Sequence, residues 1–195
     1  MKIIKTKLFK LLVCIFCIGI LLGIISFILT NSSNKLIIKE NMITFIENIE
    51  SNNINYFSSI FKNISSNLKI MFIIWIFGLL CFTSLFIPFI ILYKSIKLSF
   101  ELVSLIYSYK IKGLFLSLFY LFPFSILYIF LYILISYYSI YQAIKCFRIL
   151  KANKTINLKA FIKNYILIFI ILSSLVVVLS ILEIYFLSFI TKFVV

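Results

Sequence analysis

Histidine and aspartate are both missing from this 195-residue chain. Their absence removes the commonest general base and most of the metal-ligand, triad and carboxylate-dyad arrangements on which catalysis in water relies. No catalytic, metal or cofactor-binding residue is therefore expected. Cys14 and Cys17 form a CxxC, but with no second pair and no histidine they read as buried small hydrophobes rather than a zinc or redox site. Cys81 and Cys146 are isolated, so no disulfide framework follows. Acidic charge is also scarce, with five Glu against 19 Lys and Arg and a net charge of +14. No basic face alternates with a soluble core, so nucleic acid is not an expected partner, and the imbalance serves orientation and lipid headgroups.

What the chain has is apolar length. Four stretches, Leu11 to Asn34, Ile70 to Tyr93, Gly113 to Ile144 and Asn164 to Leu182, carry no Lys, Arg, Asp or Glu. A spanning helix needs roughly 20 mainly apolar residues, because lipid cannot satisfy backbone polar groups and a helix satisfies its own. With 64% hydrophobic residues and a mean hydropathy of +1.22, the sequence reads as an all-α integral membrane protein, a single membrane domain over residues 1–195. The basic stub Met1 to Lys10 precedes an apolar run longer than a secretory h-region and lacking an A-x-A site, which predicts an uncleaved first span. The bias toward Ile, Phe, Lys, Asn and Tyr suggests a low-GC bacterium and hence a multi-pass protein of the bacterial cytoplasmic membrane.

Sidedness follows from the basic clusters, since Lys and Arg near short loops stay in the cytoplasm. Lys2, Lys5, Lys7 and Lys10 put the N-terminus inside, and the near-neutral, Asn-rich segment Ser32 to Lys69 suits the outside. The cluster Lys145, Arg148, Lys151, Lys154, Lys159 and Lys163 also belongs inside, so an even number of crossings must separate it from Lys97. Four simple spans fail this test. Five spans, at about 9–30, 69–93, 96–110, 114–141 and 164–187, leave 12 basic residues inside and seven outside, with a cytoplasmic loop at 145–163. A re-entrant hairpin broken at Pro123 leaves 14 inside and five outside. Its 32 residues supply only about 48 Å of helix, too little for two full crossings. Both arrangements leave the C-terminus outside.

Within the outer segment, 32–68, apolar residues recur at helical spacing and predict two amphipathic helices broken around Ser51 to Asn55. Such helices lie on headgroups, pack on the bundle or dock a partner, and Phe45, Ile49, Phe57 and Phe61 are the docking candidates. Gly19 and Gly23 make a GxxxG suited to close helix packing, with Gly78 as a further packing position. Glu101 is the acid that five spans would place in the membrane, with Lys97 four residues earlier to neutralise it. Glu183 is expected to reach the outer headgroups. Pro123 predicts a kink or, in a transporter, a substrate site at a broken helix.

The order of features resembles the stage II sporulation protein M family. The most specific stretch is Ile60-Phe61-Lys62-Asn63 through Asn67-Leu68 to Trp75-Ile76-Phe77-Gly78, and Pro88, Lys94, Gly113 and Pro123 fall near where members place a proline, a basic residue, a glycine and a mid-helix proline. The chain departs from the family in lacking its usual glycines after Lys94 and an acidic residue after Pro123. The resemblance implies a non-catalytic, five-span scaffold that gathers peptidoglycan hydrolases resembling stage II sporulation proteins D and P at the engulfing septal membrane. A different class of function is a small membrane component of a transporter, using Glu101 and the helix broken at Pro123.

Overall fold

The structure, a computed structural model, describes residues 6–50, 56–80, 82–151 and 158–194, and all of its elements are helical. Helix α1 (Lys7–Leu29) starts where the Thr6 hydroxyl accepts from the Phe9 N–H at 3.4 Å, supplying one of the partners that a helix N-terminus lacks. It ends at a tight turn, where Lys35 donates to the Ile28 carbonyl at 2.9 Å and so satisfies a terminal acceptor. Helix α2 (Ser32–Glu50) follows at once, then α3 (Tyr56–Leu79). A 3-10 turn, Thr83–Phe86, leads into α4 (Ile87–Leu116); Pro88 occupies its first turn, where a missing N–H costs nothing. A π segment, Ser117–Leu121, joins α4 to α5 (Phe122–Lys151), and α6 (Leu158–Val194) closes the chain.

Four of these helices are long and apolar enough to cross a membrane: Lys7–Leu29, Phe57–Leu79, Phe122–Ile149 and Ile162–Leu187. They and α4 assemble as two packs that share α5. In one, Met71 and Ile74 of α3, Leu131 and Ile135 of α5 and Leu172 and Val176 of α6 form a buried core. In the other, Leu12 of α1, Ile91 and Leu98 of α4 and Ile129 and Ile133 of α5 do the same. Along the second pack α1 and α4 run parallel: a side chain at Gly19 would collide with Ser95, and one at Gly23 with Ser99 and the Ile96 carbonyl. Lipid gives helices no hydrophobic reason to associate, so this backbone approach, with its dispersion contacts, is what holds α1 to α4. The buried Ser95 and Ser99 hydroxyls are satisfied within their own helix, by the Ile91 and Ser95 carbonyls at 2.8 and 3.1 Å. At the end where α1 leads into α2, the Phe27 ring meets Phe100 and Tyr107 edge-on, at 5.4 and 5.6 Å.

Helix α2 lies across that same end of the bundle against α4 and α6, with Ile46 buried and the Tyr109 hydroxyl donating to the Ile43 carbonyl at 3.4 Å. The expected break at Ser51 to Asn55 lies outside the described residues.

Three features differ from what the sequence suggests. The apolar run 69–93 is not one helix: α3 ends at Leu79, and the turn before α4 carries the exposed apolar residues Leu80, Phe82, Leu85 and Phe86. That turn needs no charge to end the helix, because the Thr83 hydroxyl reaches the Phe77 and Leu80 carbonyls at 3.2 and 2.9 Å. Nor does the chain double back at Pro123. It reverses at Lys110, whose φ of 52° and ψ of −120° break α4, and Gly113 then passes so close to the Leu105 carbonyl that no side chain would fit. Pro123 instead sits two residues past the π segment, where the Phe122 N–H bonds the Ser117 carbonyl five residues back and the wider turn absorbs the proline. Finally, Cys14 and Cys17 face out from α1 rather than into the bundle.

Candidate functional site

The two packs diverge between α3 and α4, and a groove opens there with α5 as its floor. Its middle is a polar chamber of about 270 Å³. From α4 come Lys94, Lys97 and Glu101, successive turns of one helical face, and from α6 comes Glu183. Asn63 and Asn67 of α3 and Tyr128 and Tyr132 of α5 complete most of the polar wall.

The polar groups form a directed chain. The Tyr132 hydroxyl donates to Asn67 Oδ1 at 2.7 Å, Asn67 Nδ2 donates to Asn63 Oδ1 at 2.8 Å, and Asn63 Nδ2 donates to Glu183 Oε2. The Tyr128 hydroxyl lies 2.9 Å from the same carboxylate oxygen and 2.9 Å from Ser180 Oγ. Every donor in this chain points toward Glu183. Glu101 has a different partner, the Lys97 ammonium at 3.5 Å across one helical turn. Lys94 has neither carboxylate within ion-pairing distance and rests over the Tyr132 ring, 5.4 Å from its centroid.

Two apolar chambers adjoin the polar one. On the Lys94 side lies a cleft of about 360 Å³, between Ile70 and Ile73 of α3 and Phe86, Phe89, Ile90 and Tyr93 of α4. At the other end, beneath α2, a chamber of about 430 Å³ is bounded by Met42 and Ile46 and shares Glu101 and Glu183 with the polar chamber.

Of the residues singled out in the sequence, Lys97 and Glu101 meet as a pair in this groove. Gly19 and Gly23 lie against α4, and Gly78 lies where α3 crosses α5 and α6, against Ser139 and the Tyr165 hydroxyl. Phe57 and Phe61 are 80% and 66% exposed at the start of α3, while the side chains of Phe45 and Ile49 lie outside the described residues. Pro123 lies outside the chamber wall. Glu183, expected at the outer headgroups, turns inward to accept from Asn63 and Tyr128. Its helical position relative to Ser180, a small polar residue one turn earlier on the same face, was the available signal. Asn63, Asn67, Tyr128 and Tyr132 carry no such signal, because amides and phenols also mark membrane interfaces.

The groove brings together two ammonium groups, two carboxylates, and the amides and phenols between them. Comparison with curated proteins and with solved structures gives no match. The family model of stage II sporulation protein M matches residues 12–190, from within α1 to within α6, and the chain belongs to that sporulation-related family of membrane proteins.

Proposed function

We propose that the protein is a non-catalytic membrane scaffold that anchors and localises peptidoglycan hydrolases for septal wall degradation and engulfment during sporulation. In this role it crosses the membrane five times, with its N-terminus inside and α2 outside. The observation that carries it is the surface at the α2 end. Leu36 and Ile37 are exposed on α2 beside Glu40, Thr44 and Glu47, and Phe57 and Phe61 are exposed at the start of α3. Exposed apolar side chains among polar ones suit a protein partner. The partners implied by family membership resemble stage II sporulation proteins D and P. Photocrosslinkers placed at Leu36, Phe57 and Phe61 in sporulating cells should capture a wall hydrolase, and capture of none from all three positions would sink the proposal.

The polar chamber favours a second role, as a small membrane component of a transporter working through Glu101. Glu101→Gln separates the two. A scaffold keeps its localisation and its crosslinked partners, whereas a proton- or cation-coupled carrier loses flux.

A further inference from the structure

The groove between α3 and α4 carries opposite charges that do not neutralise each other. Lys97 and Glu101 are paired. Lys94 and Glu183 line the same chamber from different helices, and among the described residues neither has an ion-pairing partner. Lys94 and Glu183 are half-buried, and even partial burial of a charge is costly unless it is matched; the protein matches these only in part, with a ring face for Lys94 and neutral donors for Glu183. A ligand that completes the site therefore brings an anionic group to Lys94 and a cationic group to Glu183. It is a zwitterion.

The apolar cleft fixes which way round the zwitterion lies and what it is attached to. Lys94 lines both that cleft and the polar chamber, whereas Glu183 lines the chamber and not the cleft. An apolar chain in the cleft must thus be joined to the ligand at its anionic end. Phe89 and Tyr93 of α4 and Ile73 of α3 are exposed along the cleft, so it is open to the side, toward the hydrocarbon of a membrane. An acyl chain followed by a phosphate and then an ammonium is the order found in a phospholipid with an ethanolamine headgroup. We infer that the groove holds one zwitterionic phospholipid of the surrounding bilayer, with its acyl chain between Ile73 and Phe89, its phosphate on Lys94 and its primary ammonium on Glu183. The primary ammonium matters because Glu183, the paired Glu101 and Ser125 offer acceptors that need N–H donors. An anionic glycerol headgroup would set hydroxyls, and no cation, against the two carboxylates. This inference is independent of the scaffold role, since neither the polar chamber nor the cleft is lined by α2 or by Phe57 and Phe61.

The test uses the full chain in nanodiscs made from equal parts dioleoyl phosphatidylethanolamine and dioleoyl phosphatidylglycerol, released into native mass spectrometry. The wild type should retain one lipid per chain, with ethanolamine favoured over glycerol by about tenfold, the ratio that one charge-assisted contact supports. Glu183→Gln keeps an oxygen to accept from Asn63 and Tyr128 while losing the charge, and should bring the two lipids level. Lys94→Met should weaken both. Ile73→Trp fills the cleft without touching a charged group and should also expel the lipid, which keeps the test alive if a charge variant fails to fold. Equal retention of both lipids by the wild type would overturn the inference, as would wild-type selectivity in Glu183→Gln. Displacement of the lipid by soluble glycerophosphoethanolamine at matching concentration would overturn the bilayer as the source.

Discussion

Gly23 occupies the closest approach of two helix backbones, so its value lies in what it lacks. Gly23→Val would drive a branched side chain into Ser99 and the Ile96 carbonyl, and overpacking of this kind costs about 1–3 kcal/mol. The expected outcome is a lower thermal midpoint in detergent, whereas Ile25→Val, on the exposed side of α1, should leave it unchanged. Equal midpoints for the two variants would mean that α1 is not held to α4 by this contact. The glycine spacing was legible in the sequence as an interface, but its partner was not. Ser95 and Ser99 form the matching small-residue stripe, and they sit on a helix whose Lys94, Lys97 and Glu101 draw attention to a different face. Glu183 was legible as an acid near a helix end and no further. Its inward turn depends on Asn63 and Tyr128, which lie 120 and 55 residues away in sequence.

At the scale of elements, α2 has less holding it than any long helix. Among the described residues its buried apolar anchor is Ile46, and the chamber beneath it is largely empty of side chains. Elements with few buried contacts open at low free energy. Ile46→Ala should therefore raise amide exchange throughout α2 by about tenfold or more, equivalent to roughly 1.4 kcal/mol, while α5 keeps its protection. Spread of the faster exchange into α5 would show that α2 belongs to the cooperative core. The amphipathic period of this segment was readable. That the second half continues into a membrane-length helix was not readable, because Lys62 and Lys69 interrupt the apolar pattern of α3. Charge-free runs fix where a chain avoids charge, and an apolar turn such as Leu80 to Phe86 avoids it too.

For the whole molecule, the parallel course of α1 and α4 constrains what lies between them. Two helices joined through α2 and α3 can run side by side in the same direction only if the chain returns in between, and α3 makes that return. By the same logic α5 runs parallel to α3, as Tyr128, Tyr132 and Ser139 pair in turn with residues near Asn63, with Asn67 and with Gly78, and α6 runs back. Helix α4 carries Lys94, Lys97 and Glu101 along the groove, and in the proposed five-span arrangement it crosses with these charges set against the groove's polar wall. Charge bias then assigns the sides in the proposed five-span arrangement, with the basic stretch from Lys145 to Lys163 inside. Single cysteines at Asn34, Ile111, Leu80 and Arg148, all exposed, in a chain without its native four would test it with a membrane-impermeant maleimide. Asn34 and Ile111 should react in intact protoplasts, and Leu80 and Arg148 only after permeabilisation. Reaction of Arg148 from outside would require an odd number of crossings between it and Leu80, so α4 would have to lie along the membrane rather than cross it, and the groove would face water instead of lipid.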